Sequence, residues 1–290
     1  MPDEEKPITE HIAELVERAR KALIVTIGVI LAQYVVPSAV LEIFGLPVKH
    51  SFKPVIFELM IYVEEDMLNF TKPILRGLKS VLAPGKELNV ILIASGMFDA
   101  FIASFYLSLL IALFLAGPVI LWEVYAYVKP ALYPHEERVF KKYFLAGAFL
   151  FVVGAAYAYF ILLPLTFFIM TWIAVVSGAE PIFTVSSFFH TVLVGVVLTG
   201  LFFMFPLVFV GLVSIGLVDA RVLREKWRYI VLGVFAFTAI VTPDPTPITM
   251  TLMALPFTAL YGITVLVAER IQRKRAGLLE VRKRSVITER

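Results

Sequence analysis

The chain contains no cysteine, which removes disulfides, thiolate metal ligands and thiol nucleophiles from consideration. Histidine is nearly as scarce. His11, His50, His135 and His190 fall in four separate segments, and neither an H-E-x-x-H pair, a G-x-S-x-G elbow nor a glycine-rich phosphate loop occurs. No agents for proton abstraction or nucleophilic attack are in view, so an enzyme is not expected and no cofactor or metal is called for. Charge is the third shortage: 17% of the 290 residues are Asp, Glu, Lys or Arg, against roughly 25% in soluble domains. The net charge of +3 is accounted for by basic edges facing anionic lipid and does not require nucleic acid.

What is present is apolar surface, with 25 Phe and a mean hydropathy of +0.88. A bilayer core about 30 Å thick takes about 20 apolar residues of helix. Runs free of Lys and Arg extend over Ala22 to Leu41, Ala100 to Val128, Tyr143 to Val176, Phe188 to Val218, Tyr229 to Val241 and Ile248 to Ala268. They are apolar on all faces, whereas a closed barrel would give segments of alternating polarity. The expected fold is an all-α polytopic membrane protein of six transmembrane helices.

Basic residues set its orientation, because cytoplasmic loops retain Lys and Arg. Of the 26, twenty fall in the N-terminal segment, the second and fourth loops and the C-terminal tail, and six in the alternate compartment. Those six lie in one long segment, which this rule weights weakly, so both termini are expected in the cytoplasm of a cell-membrane protein. A cleaved signal peptide is the competing reading of the first run, but the run has the length of a span and no small-x-small site follows it.

A single six-span domain over 1–290 is expected to carry three appendages. Residues 1–21 form an amphipathic helix with Ile8, Ile12, Leu15, Ala19 and Leu23 on one stripe, lying along the cytoplasmic surface and running into span one, with Thr9 as cap and Glu10 in the first turn. Residues 38–97 form an extended outer loop of two amphipathic helices divided at Pro73. Residues 269–290 are a basic cytoplasmic tail. Spans two to four, at 29 to 34 residues, measure about 44 to 51 Å and must tilt, bend or project, with Pro118, Pro164 and Pro206 as bend points. The fifth run, 13 residues or about 20 Å, is too short unless the preceding "DARVLREKWR" continues into it. A curved wall of long tilted helices with a shallow flank of spans five and six follows.

A small-solute transporter or channel is the alternative function. Such proteins keep paired charges at mid-membrane and are often built from repeats; here Glu123, Asp99 and His190 lie toward span ends, and the two halves do not repeat. The cytoplasmic acids are more informative. Glu10, Glu14 and Glu17 follow i, i+4, i+7 spacing, and Glu136 and Glu137 sit in the second loop. They either pair internally with Arg18, Arg20, Arg138 and Lys141 or form an acidic pocket for the guanidinium groups of a partner.

The stretches "EHIAELVERARKAL", "FGLP", "GPVILWEVYAYVKPALYPHEERVF", "AYAYFILLP" and "VTPDPTPITMTLMALP", in this order, resemble the twin-arginine translocase C subunit family, TatC. The resemblance implies a signal-peptide receptor that exports folded proteins with single-span TatA/TatB-type subunits, as an oligomer in the bilayer, driven by proton-motive force. It implies that Glu14 and Glu136 contact the two arginines of the signal peptide, helped by Leu15, Arg18, Tyr127 and Leu132, and that Pro47, Pro118, Tyr159 and Asp244 have structural or transport roles. Glu137 ranks below Glu136, as a solvated neighbour. Where the family has a basic residue after the first glutamate, Val16 stands; where it has a buried glutamate in span four, Met204 stands. Glu123 is expected to supply the polar group missing there.

Overall fold

The computed structural model describes residues 8–43, 45, 48, 52–69, 76–77, 79, 90–131, 134–215, 217–241 and 246–288, of which 8, 131, 134–136, 138–139, 215, 240–241 and 273–288 are described by backbone alone. Apolar runs become helices throughout. In chain order these are α1 (Ile8–Val35), α2 (Val40–Ile43), α3 (Val55–Met67), α4 (Asp99–Leu115), α5 (Gly117–Val128), α6 (Pro134–Tyr157), α7 (Leu163–Val176), α8 (Val185–Ile215), α9 (Ala220–Glu225), α10 (Trp227–Val241) and α11 (Pro247–Thr288). The all-α expectation needs one correction. Strands β1 (Ile91–Ile93) and β2 (Ile182–Thr184) pair in parallel, Ile91 opposite Ile182. Among the described residues, three helices are long and apolar enough to cross a membrane, and a fourth if α4 and α5 count as one bent span.

Each proline acts through its missing N–H and its ring. Pro118 stands in the first turn of α5, where a proline costs least. The α4 ladder ends with Ala116 N donating to Ala112 O at 2.8 Å, and the α5 ladder restarts with Ile120 N on Ala116 O at 2.9 Å, so the axis turns by 56°. Pro164 is handled differently. A π-turn over Ala158–Leu162 precedes it, with Leu163 N donating to Ala158 O. One wide turn absorbs the lost hydrogen bond, and Phe140–Val176 continues as a 37-residue span. Pro206 lies inside the unbroken α8.

Two compact units form, Met1–Phe144 with Phe167–Val194, and Leu145–Thr166 with Gly195–Arg290. In the first, α1 packs on α3, α4 and α5. Gln33 Nε2 donates to Ser108 O at 3.2 Å and the hydroxyls of Tyr34 and Ser104 meet at 2.8 Å, so polar groups on the apolar faces bond across the helix pair. Phe167 stacks on Phe188 at 4.6 Å. The Asp99 carboxylate accepts from Ser95 N at 3.3 Å and from the Ser186 hydroxyl, tying the start of α4 to the start of α8 beside the β1–β2 pair.

The second unit is built on close approach of α6 to α8. A Cβ added at Gly154 would lie 2.7 Å from Phe203 Cβ and 2.9 Å from Thr199 O; one at Gly200 would lie 2.8 Å from Phe151 Cε2. Small residues facing large ones let the backbones close together, as lipid-embedded helices require. Phe202 stacks on Phe257 of α11 at 4.4 Å, and the Tyr157 hydroxyl donates to Leu252 O at 2.7 Å. Asp219 caps α9 by accepting from Arg221 N at 2.9 Å and also accepts from Gln272 Nε2 at 2.9 Å, while Gln272 Oε1 accepts from Ala220 N at 3.0 Å. Those two donors, the backbone amide first, hold the Asp219 carboxyl below its usual range.

Two sequence expectations change. Thr9 lies inside the first turn of α1, which begins at Ile8, so it is not the cap; Glu10 does occupy that turn. The fifth run is not lengthened by the segment before it, because α9 ends at Glu225, with Lys226 as its non-helical C-cap, and α10 begins anew at Trp227. Within 38–97, the buried face of α3 carries Ile56, Met60, Val63 and Met67; Pro73 and Pro47 lie outside the described residues, as do Leu132 and Asp244.

Candidate functional site

The N-terminal part of α1 presents its charged side inward. Ile12 and Leu15 of the apolar stripe are 56% and 46% exposed, while Glu14 and Arg18 are half-buried toward α5. Arg18 Nε and Nη2 both donate to Glu14 Oε1, at 3.0 and 2.7 Å, and Arg18 Nη1 donates to Glu123 Oε2 at 3.4 Å. One guanidinium therefore bridges two carboxylates from two helices, which favours its charged form and raises its pKa further, Glu14 being the main cause. Glu17, a turn away, pairs with Lys21 at 2.9 Å in solvent.

A second cluster closes the turn between α5 and α6. A 3-10 turn over Lys129–Ala131 continues α5. Glu137, in the first turn of α6, accepts from the Tyr125 hydroxyl at 2.7 Å and pairs with Lys129 Nζ at 3.1 Å. Tyr125 also lies against Phe140 and Phe144, with centroids 6.3 Å away in each case. Tyr125 first and Lys129 second hold the Glu137 carboxyl below its ordinary range, and Glu137 in turn raises Lys129. The expectation that Glu137 is only a solvated neighbour is corrected: its carboxylate ties the first turn of α6 to Tyr125 of α5 and to Lys129.

These directions fix a pH response. A lowered carboxylate adds stability above its unfolded pKa and loses it as pH falls through the folded value; a raised lysine adds stability below its unfolded pKa and loses it as pH climbs through the folded one. Protection of amides 129–141 from hydrogen exchange should therefore hold at neutral pH and fall on the acid side of the carboxylate range. Glu137→Gln should start lower at neutral pH and show no acid step; an acid step of unchanged size in that variant would contradict the assignment.

The structure joins three of the sequence-predicted residues, Glu14, Arg18 and Glu123. The Glu136 backbone lies in the first turn of α6, and its side chain is outside those described. Tyr127 is half-buried on α5, and Tyr159 lies in the π-turn with its ring edge-on to Phe160 at 5.0 Å. Glu123, expected to compensate for Met204, has Arg18 as its partner, and Met204 Cε packs within 3.2 Å of a Cβ placed at Gly147. Sequence reasoning missed the Arg18–Glu123 and Tyr125–Glu137 partnerships. A usable signal existed for the first: an acid inside an apolar run demands a cation from a facing helix.

Comparison with known proteins decides the lineage. The family described as Sec-independent protein translocase protein (TatC) matches residues 10–256. The chain belongs to the TatC family. It is 31% identical over 186 residues to the TatC of Campylobacter jejuni subsp. jejuni serotype O:2, covering 64% of this chain and 74% of that one. It is 28% identical to that of Aquifex aeolicus, over 93% and 97% of the two chains. For Cenarchaeum symbiosum the identity is 29%, over 91% and 95%. A crystal structure of a twin arginine translocase receptor, TatC, superposes with a TM-score of 0.58 at 26% identity, covering 90% of this chain and 99% of that one; the same receptor in DDM gives 0.56 at 28% identity, covering 89% and 99%. TatC membership and the apolar helices make this a multi-pass membrane protein of the protein-transport class.

Proposed function

We propose that the chain is the receptor and core subunit of a twin-arginine protein translocase. It crosses the cell membrane six times, with both termini in the cytoplasm, the first span within α1 and the fifth formed by the short α10. Glu14 and Glu136 bind the two arginines of a signal peptide, with Leu15, Arg18, Tyr127 and Leu132 around them. Pro47, Pro118, Tyr159 and Asp244 serve structure or transport. Single-span TatA/TatB-type subunits pack on the shallow flank of the last two spans or near the first, in an oligomeric complex. Folded cargo moves outward on the proton-motive force, and the chain itself catalyses no reaction.

The observation that supports this reading best is Arg18 itself. A guanidinium already lies across Glu14 and Glu123, so the face where α1 meets α5 has the charge and spacing to receive one, and carboxylates bind guanidinium with more geometric definition than ammonium. The test is photocrosslinking to the full chain from a photoreactive residue placed in a signal peptide that carries two arginines, against the same peptide with two lysines. The arginine peptide should crosslink more strongly, and Glu14→Ala with Glu136→Ala should abolish that difference while leaving membrane insertion intact. Equal crosslinking of the arginine peptide in the double variant removes the receptor assignment. Separately, Glu123→Leu should slow export of a folded reporter; an unchanged rate would strip Glu123 of a part in transport.

A further inference from the structure

The second unit contains a groove of about 560 Å³ between α8 and α10, walled by Leu201, Phe205, Phe209, Ile230, Gly233 and Phe237 and floored by Phe257 of α11. Its side chains are hydrocarbon throughout. Ile230, Gly233 and Phe237 recur at three and four residues along α10, so one face of that helix forms the wall. The same face continues one turn further back: Ile230 N donates to Lys226 O at 3.3 Å, which places Lys226 a helical turn before Ile230 at the groove's end. Arg228 adjoins it. Lys226 Nζ lies 5.4 Å from the centroid of Tyr229, and the Arg228 guanidinium 5.8 Å from that of Trp227. Among the described residues neither cation forms an ion pair. Trp227 and Tyr229 are 49% and 70% exposed, as aromatic residues at a membrane interface are.

We infer that this groove is a binding site for one anionic glycerophospholipid, an acyl chain lying along Ile230, Gly233 and Phe237 and the phosphate held by Lys226. An apolar slot alone would accept any hydrocarbon. Lys226 at its end selects a negatively charged headgroup at the interface, where a basic residue contributes appreciably to lipid attraction. The arrangement requires only that the start of α10 lie at a membrane surface, whichever side that surface faces. Gly233 keeps the slot open, since a Cβ there meets no atom within 4 Å. A larger side chain can enter the groove without moving the backbone, and it improves helix propensity.

The test uses the full chain in detergent, titrated with phosphatidylglycerol or phosphatidylcholine of the same acyl chains and followed by native mass spectrometry. Wild-type protein should retain phosphatidylglycerol preferentially, Lys226→Gln should reduce that preference about fivefold while Arg228→Gln on the opposite face of α10 should leave it in place, and Gly233→Leu should reduce retention of both lipids. Absence of headgroup preference in the unsubstituted protein overturns the inference without reference to any variant. Undiminished retention in Gly233→Leu overturns the placement. A photoreactive residue at position 201 should capture lipid in membranes; capture of a single-span protein helix there would assign the groove to a protein partner and overturn the inference as well.

Discussion

Gly154→Ala should destabilise the folded chain by about 1–3 kcal/mol, the usual cost of forcing an extra group into a filled contact, although alanine is the better helix former by roughly 0.5–1 kcal/mol. The added methyl would stand 2.7 Å from both Cβ and Cγ of Phe203 and 2.9 Å from the Thr199 carbonyl oxygen. None of these is the free end of a flexible side chain. Relief therefore requires α6 to move off α8, which also opens the reciprocal contact of Gly200 with the Phe151 ring. Gly211→Ala supplies the control, because a Cβ at Gly211 meets nothing within 4 Å; there the propensity gain stands alone and stability should hold or rise. Thermal unfolding of both variants in detergent, read by loss of the monodisperse species, separates the two cases. Equal midpoints for the two variants would show that α6 and α8 do not cross this closely.

That contact also marks where the sequence stops being legible. Gly147, Gly154 and Gly200 stand in apolar runs long enough to identify helices, but which glycine meets which ring depends on how two helices cross, and no one-dimensional pattern carries that angle. Prolines were more readable. Pro118 foretold a bend because its own chemistry breaks the ladder, and the axis does turn there. Pro164 has the same chemistry, yet the chain answers with a π-turn and keeps one long helix, an outcome decided by packing around Ala158 and Leu162, both buried. The pairing of β1 with β2 was hidden for another reason. Three-residue strands from segments far apart in the chain have no local signature beyond a few β-branched residues, and they exist because the surrounding helices bring them together.

In the candidate site the charged residues were legible and their partners were not. Helical spacing put Glu10, Glu14 and Glu17 on one side of α1, but burial then divided them: Glu14 turns toward α5, while Glu17 stays in solvent with Lys21. The apolar stripe of the same helix carries Ile12 and Leu15, which remain largely uncovered, available to lipid or to a partner. Glu137 was ranked below Glu136 because it falls where the TatC family commonly has a basic residue. Its actual anchor, Tyr125, sits twelve residues earlier on the far side of a 3-10 turn, a distance that no helical period connects.

Arg18→Ala should have the larger effect on the α1–α5 site, because it removes a cation that two carboxylates share. Side-chain exposures of 25% for Arg18, 29% for Glu14 and 16% for Glu123 mean that water screens part of each charge, so the coupling is modest, about 1 kcal/mol. Its asymmetry is the informative part. Losing Arg18 takes a guanidinium partner from both carboxylates at the α1–α5 contact, whereas Glu123→Ala leaves Arg18 still doubly bonded to Glu14. Arg18→Ala should accordingly cost more stability than Glu123→Ala, and the double variant should cost less than their sum, as unfolding in detergent will read directly. If Arg18 orients Glu14 for an incoming signal peptide, crosslinking of the twin-arginine peptide should fall about tenfold, equivalent to roughly 1.4 kcal/mol. Arg18→Lys should recover it only in part, since a point-charge ammonium lacks the planar fork that spans two acids. Stronger crosslinking in Arg18→Ala would reverse the role, making Arg18 a resident competitor that the peptide's own guanidinium must displace.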